Sequence, residues 1–135
     1  MKNKWLMFFA LLACVLSACG PLFAHHGAAA YADKIVVLKD ATVTKFLWAN
    51  PHNIVMFDVK DDNGNITHWA GEAGSPSATG LLGWTRNSLQ PGDVITVYIF
   101  PAKSGNPVGR LNKIVFADGK ILRDSQLGGE KSKDQ

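Results

Sequence analysis

The sequence predicts a small, mainly β domain: five antiparallel strands, with one short helix between the third and the fourth. Three observations predict it. Segments rich in Val, Ile, Thr and Phe recur along the chain with apolar residues at every second position. Asn63-Gly64 lies between two such segments as a hairpin signal. Ser75-Pro76 supplies a helix start, with the serine as cap and the proline at the first helical position, where its missing N–H costs nothing.

The elements follow in order. Ile35 to Trp48 is strand one, with Val43 among alternating threonines. Asn50-Pro51 then punctuates the chain, because proline cannot donate to a strand ladder. His52 to Lys60 is strand two, with Asn53, Val55, Phe57 and Val59 toward the core and Ile54, Met56 and Asp58 away from it. Asn-Gly tolerates positive φ at both turn positions, so the chain reverses there into strand three, Ile66 to Ala73. A short helix starts at Pro76 and runs to Leu82, weakened by Gly80 and Gly83. Leu89 to Asp93 is a turn, and Val94 to Phe100 is strand four with Ile95, Val97 and Ile99 on one face. Val108 to Phe116 is strand five, and Asp118-Gly119 turns into a short terminal strand, Lys120 to Leu122.

This order is that of an OB-like barrel, a five-stranded Greek-key architecture, with an open β-sandwich or roll as the alternative. One core is expected. Val43, Val55, Phe57, Trp69, Ile95, Val97 and Leu111 should face it, and Trp69 and Trp84 should be largely buried.

The N-terminus sets the compartment. Lys2 and Lys4 precede an apolar run from Trp5 to Ala18, the pattern of a secretory signal. The run is shorter than the roughly 20 residues that a spanning helix needs, and Gly20 and Pro21 break it. Two cleavage readings compete. Leu22-Phe23-Ala24 suits ordinary signal peptidase, giving residues 1–24 as signal and His25 as the first mature residue. Leu16-Ser17-Ala18-Cys19 resembles a lipobox, giving residues 1–18 as signal and a lipidated Cys19. Either way the expected location is the periplasm or cell envelope, with a lipid anchor to the outer membrane in the second case. The folded domain should span residues 25–127, with an unstructured tail at 128–135. Cys14 and Cys19 are the two cysteines of the chain, so the domain holds no disulfide and relies on its core.

Composition is that of a folded domain, 47% hydrophobic and 19% charged. Of the 14 basic residues, Lys2 and Lys4 leave with the signal, and the remainder nearly balances the 11 acidic residues. The remaining basic residues are scattered between acidic neighbours and form no visible basic stripe, which argues against nucleic acid as a partner.

Four pieces stand out together: Ala24-His25-His26-Gly27; Trp48-Ala49-Asn50-Pro51-His52; Trp69 with Glu72 and Ser75-Pro76; and Gly83-Trp84-Thr85 before Leu89-Gln90-Pro91-Gly92-Asp93. In these, the chain from His25 to Leu122 resembles a family of small exported proteobacterial proteins carrying domain of unknown function 6152. The resemblance implies export and a shared β-domain, and it carries over no catalytic residue.

Histidine is the first candidate ligand, since all four histidines, His25, His26, His52 and His68, lie in the mature region. Cleavage after Ala24 would give His25 both an α-amine and a ring nitrogen, a pair that favours Cu(II). His52 could add a third nitrogen, so His25, His26 and His52 form the candidate metal set and copper the candidate cofactor. The competing reading is a solvated terminus and a turn-stabilising His52. A closed zinc site has no matching Cys/His spacing. Aromatic rings suggest a second kind of site, because OB-folds bind ligands by stacking on exposed rings. Trp48, Asn50 and His52 at the barrel end, with Tyr98 and Phe100, are the candidate ligand-binding residues. Glu72 is a carboxylate among small and apolar residues, the setting of an acid or base; its alternative role is to accept backbone N–H groups at the Ser75-Pro76 helix start. No nucleophile elbow, phosphate loop or dinucleotide fingerprint occurs.

The expected function is therefore an exported, non-enzymatic binding or interaction module of the cell envelope, taking a small ligand or an envelope protein and meeting the membrane only through a lipid anchor. A copper-binding periplasmic protein using the N-terminal histidine is the alternative. An envelope enzyme acting through Glu72 comes third.

Overall fold

A computed structural model describes residues 30–125 of the chain. The expected signal segment, His25, His26, Cys19 and the expected tail at 128–135 lie outside the described residues. The strands are β1 (Val36–Leu47), β2 (Ile54–Lys60), β3 (Ile66–Glu72), β4 (Val94–Pro101), β5 (Val108–Phe116) and β6 (Ile121–Arg123). Helix α1 (Pro76–Gly80) lies between β3 and β4, where the sequence places it. Among the described residues no helix is long and apolar enough to cross a membrane.

The sheet runs β3-β2-β1-β4-β5-β6, and an additional β3–β5 pairing closes the first five strands into a barrel. Closure rules out the open sandwich or roll. It also corrects the expectation of antiparallel pairing throughout, because Ala70, Gly71 and Glu72 pair parallel with Val108, Gly109 and Arg110. Parity explains the difference. Strand direction cannot alternate all the way around a ring with an odd number of members, so a five-stranded barrel carries at least one parallel pair. β6 is an extra strand, paired antiparallel with the far half of β5.

Alternation places the core. Val43, Val55, Phe57, Ile95, Val97 and Leu111 are all buried, together with Ile99, Ile114, Leu89 and Leu122. Trp84 is buried as expected, and its indole N–H donates to the Arg123 carbonyl over 2.8 Å, fastening β6 to the loop after α1. Trp69 differs from expectation in being only part-buried. Its ring stacks on Phe57 with centroids 6.3 Å apart, and its outer part lines a groove on the barrel exterior.

The β2–β3 hairpin forms at Asn63-Gly64, but its connection is a five-residue loop in which Gly64 alone has a positive φ. Asp61 takes over the work expected of a tight turn. Its carboxylate accepts from the Asn63 N–H at 2.9 Å, the Asn65 N–H at 2.8 Å and the Asn65 side-chain amide at 2.9 Å. These donors, led by the Asn65 side chain, hold the Asp61 carboxyl below its usual pKa. At the other end of β3, Ser75 caps α1 by accepting from Ala78 N–H, with Pro76 in the first turn. The helix ends at Gly80, short of Leu82.

Candidate functional site

The segment between β1 and β2 is held by one side chain. Asn53 is fully buried, its amide donates to the Thr79 hydroxyl at 2.8 Å, and its side-chain oxygen accepts from Ala49 N–H at 3.3 Å. Its backbone bonds to both Ala73 and Gly74. A buried amide whose donor and acceptor are both satisfied is rigid, so the neighbouring His52 is carried to a fixed place beside the end of β3.

There His52 Nδ1 lies 2.9 Å from Glu72 Oε1 and 3.2 Å from the Ala73 carbonyl oxygen. Both neighbours are acceptors, so Nδ1 carries the ring proton and the lone pair of the neutral ring sits on Nε2. The His52 side chain is 50% exposed. Glu72 is held from the other side by Tyr31, whose hydroxyl donates to Oε2 over 2.7 Å. Tyr31 in turn is placed by its bridge to Ala102 at the end of β4. Burial, the bond to Glu72 and the charge of Glu72 push the Tyr31 phenol up to about 12, against a smaller lowering by Arg110.

Two more charged residues border this chain of contacts. Arg110 is the register partner of Glu72 across the β3–β5 seam. Asp124, just past β6, accepts the Gly74 N–H at 2.6 Å. Burial raises the Asp124 carboxyl above its usual range, with the Gly74 bond and the charges of Arg110 and His52 opposing. The helix-start role expected of Glu72 falls instead to Ser75, which accepts the Ala78 N–H, while Asp124 takes the Gly74 N–H just before the cap. Glu72 instead orients His52, and each of its oxygens has a partner.

The other sequence candidates are distributed around this point. Trp48 and Asn50 share the loop of His52. Asn50 is exposed, with a cis peptide bond to Pro51, and Trp48 turns inward to meet Phe46 edge-on at 6.0 Å. Tyr98 and Phe100 project from β4, but each has one ring face covered: Lys113 lies 4.4 Å from the Tyr98 centroid and Arg110 lies 4.9 Å from that of Phe100. Phe100 therefore borders the site through Arg110, while Tyr98 is two cross-strand pairs further along β5. The rings serve as seats for cations, which takes up one stacking face of each.

His68 forms a second histidine–carboxylate contact, Nδ1 to Asp58 Oδ1 at 2.6 Å, on the outer face of the β2–β3 hairpin. It lines an open groove of about 500 Å³ with Thr44, Met56, Trp69, Pro107 and Val108. Among the described residues, no three His, Cys, Asp or Glu side chains converge in a way that could hold a metal ion. His25 and His26, the remaining members of the candidate metal set, lie outside those residues.

Tyr31, Asp124 and the orienting role of Asn53 escape a sequence reading. Tyr31 stands in an unpatterned stretch before β1, and Asp124 follows the last strand, so neither has a local signal; only barrel closure brings them to Glu72.

A family model matches residues 12–112, and the chain belongs to that family, the family of unknown function DUF6152. No match was found among curated proteins or among solved structures.

Proposed function

We propose that the protein is an exported, non-enzymatic binding module of the cell envelope, and that its ligand is taken at the barrel end marked by His52. One observation carries the reading. Three distant segments, at Tyr31, His52 and Glu72, converge so that the imidazole is held by a carboxylate on one nitrogen while the side chain stays half-exposed. Core stability does not require an oriented, half-exposed imidazole, whereas recognition does: fixing a donor or acceptor before binding removes the ordering cost from the binding step. The apolar run after Lys2 and Lys4 supports export. Glu72, with its oxygens engaged by Tyr31 and His52, serves this site by orientation and not as a free acid or base.

The experiment is a thermal-shift panel on the mature protein with divalent metal ions, phosphate, acetylated amino sugars and short peptides. At least one class should raise the melting temperature of the parent and leave His52→Ala unmoved. A panel without any shift, or a shift that His52→Ala retains, overturns the reading. Fractionation should find the protein in the periplasm or envelope, and a cytoplasmic protein with residue 1 intact overturns the export half.

A further inference from the structure

We infer that the groove beside His68 is a second binding site, separate from the barrel end, and that it takes an organic ammonium compound. The cationic head sits on Asp58 and the apolar body lies against Met56, Trp69, Pro107 and Val108. The way the barrel closes creates this groove. β3 pairs with β5 only from Ala70 onward, where the Ala70 N–H donates to the Pro107 carbonyl at 3.0 Å. Ile66 to Trp69 hold to β2 alone among the described residues. The groove's lining crosses Thr44 of β1, Met56 and Asp58 of β2 and His68 of β3, and it ends at Pro107 and Val108, where pairing to β5 begins. Its volume of about 500 Å³ is that of a small-ligand site, for which the range is roughly 300–1,000 Å³. The Asp58–His68 pair lies four residues along the hairpin from Ile54–Glu72, about 13 Å away from the barrel end.

The charge of the lining selects the ligand. Asp58 is its one carboxylate, and no lysine or arginine lines it. The Asp58 side chain is 27% exposed, and its carboxylate has one partner among the described residues, His68 Nδ1 at Oδ1 over 2.6 Å. A carboxylate accepts, so Nδ1 donates and holds the group in place. Oδ2 has no partner among the described residues. A carboxylate bordered by apolar surface is costly to cover unless a cation meets it, so a cation is favoured over a neutral or anionic ligand of the same shape. Trp69 adds to that preference, because indole attracts cations more than the other aromatic rings do, and stacking on Phe57 fixes its position. A bare metal ion is a poorer match. Among the described residues no third His, Cys, Asp or Glu joins Asp58 and His68 in a group that could hold one.

The test is titration of the protein with phenethylamine, phenethyl alcohol and phenylacetate, which carry a similar apolar body on cationic, neutral and anionic heads. The amine should bind at least about tenfold more tightly than the alcohol, the scale of one charge-assisted hydrogen bond, and phenylacetate more weakly than either. Amide signals of Met56, Asp58, His68 to Ala70 and Val108 should move with the amine, while those of residues 49–53 stay still. Asp58→Asn should bring the amine down to the level of the alcohol. Val108→Trp fills the groove from a position that is 40% exposed, so the fold survives it, and amine binding should be lost. Equal binding of amine and alcohol, binding retained in Asp58→Asn or in Val108→Trp, signals that move at residues 49–53 instead, or no amine binding at all overturns the inference. Each of these outcomes leaves the barrel-end reading standing, since that reading is tested through His52.

Discussion

Gly71 on β3 and Gly109 on β5 face each other at the middle of the parallel pairing that closes the barrel. A Cβ on Gly109 would lie 2.5 Å from the Phe100 carbonyl oxygen and 2.7 Å from Ile99 Cγ1, and one on Gly71 would lie 2.7 Å from Leu111 Cδ2. The seam is therefore tight on both sides, and the residues that follow these glycines are Glu72 and Arg110. The closeness that seals the core also sets the site.

Gly109→Ala should destabilise the protein more than Gly71→Ala. The obstacle at Gly109 is backbone, which cannot step aside, whereas Leu111 can change rotamer to admit a methyl group at Gly71. Overpacking of this kind costs about 1–3 kcal/mol, with Gly109→Ala at the upper end. Urea denaturation of the two variants checks the order. Equal midpoints would mean that the seam is looser than these distances imply.

Alternation made the strands legible, and the hairpin made part of the site legible as well. With the reversal centred on Asn63, pairing propagates outward until Ile54 stands opposite Glu72, so His52 must arrive near the end of β3. That step follows from register alone. The β3–β5 pairing does not, because nothing local in Ala70 to Glu72 or Val108 to Arg110 specifies a parallel partner nearly forty positions away. Tyr31, Arg110 and Asp124 reach the site only through that closure. Tyr98 and Phe100 were legible as outward rings, but the cations lying on them come from β5, across a register that a bulge shifts between Tyr98 and Ile99.

Phe57→Ala tests the core and Asn53→Ala tests the support beneath His52. Phe57 is fully buried and stacked on Trp69, so truncation should cost about 3–5 kcal/mol, comparable to the whole stability of a small domain. Asn53→Ala leaves the Thr79 hydroxyl without its donor and the Ala49 N–H without its acceptor, at a cost of about 1–3 kcal/mol. Amide exchange should distinguish them. Asn53→Ala speeds exchange around residues 49–53 before the barrel opens, while Phe57→Ala speeds it throughout. Uniform exchange in both would refute a separate role for Asn53.

Asp124→Asn should keep the Gly74 bond and remove a charge that burial disfavours. Because the folded carboxyl sits above its unfolded value, the folded state binds the proton more tightly, and the parent gains stability as pH falls through that raised value. The variant should therefore be at least as stable as the parent at pH 7, with its advantage shrinking on acidification. Melting curves from neutral to acid pH check the trend. A deficit at pH 7 would show that Arg110 and His52 outweigh the burial cost.

Tyr31 gives the complementary test in alkali. Its phenol is raised from 10.0 to about 12, so the folded state holds this proton more tightly than the unfolded chain does. The contribution of the Tyr31–Glu72 bond is then fully present below pH 10 and is lost as pH rises from there through about 12. Ionisation both removes the donor and sets a phenolate against the Glu72 carboxylate. Two tyrosines occur in the chain, Tyr31 and Tyr98, so phenolate absorbance can be assigned by substitution. Tyr31→Phe should abolish the phase near pH 12 and flatten stability over the same interval. It should also loosen the tie between the N-terminal segment and β3, seen as faster amide exchange at Tyr31 to Asp33 with the barrel unaffected. A phenol titrating at its ordinary value near 10, or a late phase that survives Tyr31→Phe, would break the link between Tyr31, Glu72 and His52 on which the site is built.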